Sequence, residues 1–156
     1  MKAIHRPSSS TMRERRGGWV GAAVVALDRL PLLPAEVLFR LAMAILFWRS
    51  GQAKLASWDT TVLLFQEEYR VPLLAPELAA MLATAVELAA PVALLLGFGT
   101  RVAALATLGM TFVIQIFVYP ESYPTHLLWA GPLLYLLLRG PGTLSLDHAI
   151  RRQFMA

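Results

Sequence analysis

The positions at which this sequence could do chemistry are ionisable side chains set inside otherwise apolar stretches. Arg40, Arg49 and Lys54 fall in one such stretch and Glu87 in the next. In an apolar medium each of these charges costs several kcal/mol unless it is paired or wet. Arg40 and Lys54 are fourteen residues apart, close to four helical turns, so on a helix they share a face, whereas Arg49 points roughly the opposite way from Arg40. Glu87 lies roughly 16 Å along its own helix, at a depth that a cation of the preceding helix can reach. Helix rotation decides which cation that is. Arg40 with Glu87 is read as a structural ion pair, and Arg49 or Lys54 as the cation facing a ligand. Pro91 has no N–H, so the carbonyl of Glu87 loses its helical partner, and Pro132 does the same to Leu128. Gln115, Tyr119 and His126 end or begin the later apolar stretches. The expectation is a polar notch lined by Glu87, Arg49 or Lys54, Gln115, His126 and Trp129. Such a notch offers donors that hold a carbonyl oxygen and a carboxyl that could pass a proton. No residue is assigned a catalytic role.

Each of these residues has a plainer reading. A carboxylate–cation pair between helices is often a packing and register device. Gln115 suits interhelical glue, and Trp129 and the tyrosines suit an interfacial belt. His126 at a boundary suits solvation, and Arg40 could reach an interface along its own stem. Ala85, Ala89, Ala93 and Gly97 step by four and let another helix approach closely.

The elements that must position these groups are long apolar helices. Of 156 residues, 57% are hydrophobic and 15% charged, and the mean hydropathy is +0.58. A soluble domain carries about 25% charged residues, so the balance favours the membrane. Apolar stretches run from about 35 to 58, 75 to 96, 101 to 119 and 124 to 139. A bilayer core needs about 20 such residues as helix. The first turns polar at Arg49-Ser50-Gly51-Gln52-Ala53-Lys54, and the fourth is short and carries Pro132. Both are predicted to pack within a bundle. The fold class expected is therefore all-α, a transmembrane four-helix bundle with short interfacial helices at both ends. Residues 1–17 read as a disordered basic tail and 18–34 as an interfacial segment. Residues 35–139 make up the four-helix domain, and 140–156 an amphipathic cytoplasmic segment with Leu146, Ile150 and Phe154 on one face. The stretch from Trp19 to Leu27 is too short to span, and Asp28-Arg29 follow without a convincing cleavage site, which argues against a signal peptide.

Orientation follows from Lys and Arg. Six of the 14 precede residue 36; Arg101, Arg139, Arg151 and Arg152 fall in the other segments on that side. The opposite loops, about Asp59 to Leu74 and Pro120 to Tyr123, hold Asp59, Glu67, Glu68 and Glu121, and chiefly Arg70 as a cation. Both termini are thus expected on the cytoplasmic side of an inner membrane. Trp58, Tyr69, Tyr119, Tyr123 and Trp129 edge the outer loops as an aromatic belt would.

Composition also excludes. There is no cysteine, hence no disulfide, thiolate metal site, covalent haem or thiol redox step on this chain. Of His5, His126 and His148 only His126 adjoins an apolar stretch, so a buried haem with two histidine ligands has no support. No metal site is predicted. The net charge of +4 and pI near 10.0 come from the leader rather than a basic patch interleaved with aromatics, which argues against nucleic acid. Gly97-Phe98-Gly99-Thr100 is a tight turn rather than a phosphate loop.

Arg40, Phe47-Trp48-Arg49-Ser50-Gly51-Gln52-Ala53-Lys54-Leu55, Glu87 with Pro91, and Leu95-Leu96-Gly97-Phe98-Gly99-Thr100-Arg101 together resemble the DoxX family. Tyr123-Pro124-Thr125-His126, Gly140-Pro141-Gly142 and Leu144-Ser145-Leu146-Asp147 fit a common proteobacterial form of it. The resemblance covers about residues 28 to 153. It implies a four-helix bacterial membrane protein. One related branch is the small membrane subunit of a thiosulfate:quinone oxidoreductase. Another type forms a membrane complex with superoxide dismutase and a sulfurtransferase-like protein, and others accompany enzymes that modify metal-binding peptides. Carried over by position, the family's recurrent polar residues are Arg40, Lys54, Glu87 and Arg101, while Arg49 departs from the pattern. Three functions stand open. The chain is the membrane subunit of an oxidoreductase or stress-related complex with a quinone as ligand and no covalent cofactor, or a non-enzymatic scaffold, or a transporter of a small solute or metal acting as an oligomer. The partners implied are the lipid bilayer, proteins of a membrane complex and, for transport, further copies of the chain.

Overall fold

The computed structural model describes residues 18–22, 24–27 and 31–154, and the chain divides into two units, residues 1–32 and 33–156. The basic tail expected over 1–17 lies outside the described residues. In the first unit a short helix, α1 (Gly18–Leu27), exposes Trp19, Val20 and Leu27.

The second unit holds α2 (Leu33–Ala56), α3 (Trp58–Leu64), α4 (Pro76–Leu96), α5 (Thr100–Val113), α6 (Tyr123–Arg139) and α7 (Leu146–Phe154). Two of these helices run on as single π-helical turns, α3 through Phe65–Tyr69 and α5 through Ile114–Val118. No strand occurs among the described residues. The chain is all-α.

Local chemistry sets the boundaries. Pro76 opens α4, where its missing N–H and fixed φ fit the first turn, and Glu77 meets the positive end of the helix. The helix closes at Gly97 (φ 63°), with Phe98 N–H on Ala93 O at 3.0 Å and Gly97 N–H on Leu94 O at 3.2 Å. That pairing satisfies carbonyls the helix itself leaves open. A side chain at 97 would also strike Ser145 Cβ at 2.5 Å and Arg40 Nη2 at 2.9 Å, so only glycine fits. The next helix, α5, is capped from a distance: the Asp147 carboxylate of α7 accepts Gly99 N–H at 2.8 Å and Thr100 N–H at 3.0 Å. A carboxylate at a helix N-terminus satisfies free amides and meets the positive end of the dipole.

Four helices close a ring: α2 packs on α4 and α6, α4 on α5, and α5 on α6. Their shared core is Met43, Ala44 and Phe47 with Leu94, Leu133 and Leu136, joined by small residues of α4 and α5. The alanines let the backbones approach closely, and Thr107 and Thr111 return their hydroxyls to carbonyls four residues back, so no polar atom of theirs is left unpaired. The outward faces stay apolar: Leu38, Ile45, Met81, Val102, Phe112 and Leu127 are all exposed.

Two helices are long and apolar enough to cross a bilayer, Pro76–Leu96 and Thr100–Val118, and only 39% and 22% of their apolar windows are buried. A core helix of a soluble protein would bury more than that. Here α2 is long enough but carries Glu36, Arg40, Arg49 and Lys54, and α6 has only 17 residues.

Candidate functional site

The site begins with a close approach. Gly51 of α2 faces Glu87 and Leu88 of α4, and a Cβ there would meet Leu88 Cδ2 at 2.9 Å and Glu87 Cβ at 3.1 Å. With nothing in the way, Ser50 and Lys54, four residues apart on one face of α2, reach the Glu87 carboxylate. Lys54 Nζ donates to Oε1 and to Oε2, each at 2.8 Å, and Ser50 Oγ donates to Oε1 at 2.9 Å. Lys54 also donates to Ser50 Oγ at 3.0 Å, which closes a three-residue ring of hydrogen bonds. Glu87 is 3% exposed, whereas the Lys54 side chain keeps 18%. Pro91, fully buried one turn further on, has no N–H to give the Glu87 carbonyl.

The cluster borders a cavity of about 570 Å³ between α2, α4, α5 and α6, covered on one side by Phe65, Tyr69, Val71 and Leu74. Its walls are mostly aliphatic and aromatic. Polar atoms come from Ser50, Lys54 and Glu87 and, from other walls, from His126, Tyr69 and Tyr119. That is the usual make-up of a small-molecule pocket, apolar with a few convergent polar groups.

His126, in the first turn of α6, is 5% exposed. Its Nδ1 lies 2.7 Å from Gln115 Oε1, and Gln115 Nε2 donates to Pro120 O at 2.7 Å. Gln115 sits in the π-helical turn after α5, a distortion frequent at functional sites. The His126 ring meets Trp129 edge-on at 5.2 Å, and Trp129 meets Phe47 at 5.8 Å. At the mouth the two π-helical turns stand side by side. Tyr69 packs edge-on against Tyr119 at 5.7 Å, and the Tyr119 hydroxyl donates to Glu68. That bond, with some desolvation, raises the Tyr119 phenol above its ordinary value and keeps it a donor.

The DoxX family profile matches residues 35–120. The chain belongs to the DoxX family. That match and the two lipid-length apolar helices make it a membrane protein. No curated protein matches the chain, and no solved structure does. The match takes in Arg40, Ser50, Lys54, Glu87 and Gln115 of this DoxX protein and stops short of His126 and Trp129.

Two sequence expectations need correction. Arg40 does not pair with Glu87. Fourteen residues of helix put it about 21 Å from Lys54, at the other end of the bundle. There its guanidinium donates to Leu94 O at 2.7 Å, Leu95 O at 2.5 Å, Leu144 O at 2.6 Å and Pro141 O at 3.3 Å. It is a clip that satisfies the last carbonyls of α4 and holds the α6–α7 connection. Nor does Arg49 enter the notch: it is exposed and does not line the cavity, because its position on α2 turns it away from α4. Lys54, Glu87, His126 and Trp129 do line the cavity, and Gln115 touches it only through His126.

Sequence reasoning missed Ser50 and the π-helical turns of this DoxX site and, at the opposite end of the bundle, the cap by Asp147. Ser50 was legible, being one turn before Lys54. The π-helical turns and the cap by Asp147 were not, since each depends on partners far away in the chain. Among the described residues no group of three His, Asp or Glu is placed to hold a metal ion.

Proposed function

We propose that this DoxX protein is a four-span subunit of the bacterial inner membrane that holds a quinone-type lipophile for an oxidoreductase partner. The observation that carries the reading is the apolar cavity of about 570 Å³ with the Lys54–Ser50–Glu87 cluster on one wall and His126 on another. Apolar walls suit a ring and its tail, and a few convergent polar groups suit an oxygen-bearing head group. The chain has no cysteine, so thiol chemistry belongs to a partner, as do the electrons that a quinone takes up.

The bilayer reading of α2 and α6 rests on where their polar groups go. Twenty-four residues of α2 extend about 36 Å, more than a core of about 30 Å. Arg40 is turned inward and gives four of its five N–H donors to carbonyls, and Lys54 is neutralised by Glu87. The 3-10 turn Pro120–Ser122 lengthens α6 at its start. Arg101, Arg139, Arg151 and Arg152 gather at the end where Arg40 lies, and Asp59, Glu67, Glu68 and Glu121 at the other. Lys and Arg collect on the cytoplasmic side, which supports cytoplasmic termini.

A second reading rests on the same cluster. Lys54, Ser50 and Glu87 already satisfy one another, as a device that only fixes helix register would. The chain is then a scaffold for membrane partners. The test is Ala83→Phe, which fills the cavity from α4 and leaves the cluster intact. Protein purified from membranes in mild detergent is extracted and assayed for quinone. The wild type retains quinone and Ala83→Phe loses most of it, together with the activity of whatever complex co-purifies. Quinone-free wild type, with partner activity equal in the variant, rejects the ligand reading in favour of the scaffold.

A further inference from the structure

The hydrogen-bond chain behind His126 decides what that residue offers the cavity. Pro120 O can only accept, so the Gln115 group 2.7 Å away is the amide nitrogen. That leaves Gln115 Oε1, also only an acceptor, against His126 Nδ1 at 2.7 Å, and an acceptor in that position requires the proton to be on Nδ1. In the neutral imidazole the lone pair is then on Nε2. The ring is held in place by Trp129 and lines the cavity at 5% exposure, and among the described residues nothing donates to Nε2.

We propose that the cavity prefers the reduced, hydroxyl-bearing form of its lipophile, a hydroquinone, whose O–H donates to His126 Nε2. A quinone carbonyl is an acceptor and has nothing to give a lone pair. This inference rests on the cavity being a quinone-type site and adds its redox selectivity. The π-helical turn is what makes it possible. It carries Gln115 to where the amide spans Pro120 and His126, and Tyr119 N–H closes the turn on Ile114 O at 2.8 Å.

The experiment measures binding of a short-chain hydroquinone, its quinone and its dimethyl ether to the purified full-length protein, under anaerobic conditions, by calorimetry. The wild type binds the hydroquinone about tenfold more tightly than either of the others, the worth of one hydrogen bond to a buried acceptor. His126→Phe abolishes that preference while still binding. Gln115→Leu, which frees the ring to take either tautomer, reduces it, and gel filtration confirms that both variants stay monodisperse. Equal affinity of the wild type for all three compounds overturns the selectivity and leaves the quinone-type site standing. So does a preference that survives in His126→Phe, which is then steric. No binding of any of the three overturns the site and the selectivity together.

Discussion

Replacing Lys54 by Met keeps most of the side-chain volume and removes the charge that Glu87 meets at 2.8 Å through both oxygens. Only Ser50 Oγ then remains on a carboxylate that is 3% exposed. Breaking a buried pair from one side costs about 3–5 kcal/mol, because the remaining charge is left in a poor solvent. Glu87→Leu is expected to cost less, about 1–3 kcal/mol, since Lys54 keeps 18% exposure and its long stem can carry the ammonium into the cavity. Removing both charges at once leaves well-packed apolar groups and returns the protein to within ~1 kcal/mol of wild type. The cycle therefore has a coupling energy of at least ~3 kcal/mol, at the upper end for a neighbouring pair. The assay is reversible unfolding in dodecyl maltoside with increasing SDS, followed by tryptophan fluorescence, for wild type, both single variants and the double variant. Losses that simply add in the double variant refute the reasoning, since they mean that neither charge depends on the other.

Arg40→Leu removes four bonds to carbonyls and is expected to destabilise by about 2–5 kcal/mol, with faster amide exchange over 141–147; Arg40→Lys restores little, lacking the guanidinium fork. Gly51→Ala puts a methyl within 3.1 Å of Glu87 Cβ and is expected to cost about 1–3 kcal/mol by forcing α2 from α4, read as a lower thermal midpoint and as partial loss of the Lys54–Glu87 coupling.

The groups that make the site fall into two classes by how they announce themselves. Glu87 and Lys54 stand out because charge in an apolar run must be resolved somewhere, and only a few residues can resolve it. Arg40 announces itself equally loudly, yet its partners are backbone carbonyls of Leu94, Leu95, Pro141 and Leu144, and every residue has a carbonyl. Nothing in the side-chain pattern marks those four. Asp147 is similar: its partners are two amides of the α4–α5 turn, and its own surroundings suggest only an ordinary first turn of an amphipathic helix.

Periodicity, length and charge placement were enough to determine that this chain is helical, where the long apolar helices run and which charges need partners, because helix spacing and the cost of burying charge are local or nearly local properties. Which cation meets Glu87 was decided by tertiary structure alone. The choice depends on the rotation of α2 about its axis, and that rotation is set by where Gly51 lets α4 come close. The cavity, the paired π-helical turns and the tautomer of His126 have the same origin: each is a relation between segments brought together only by packing, and one-dimensional spacing has no term for it.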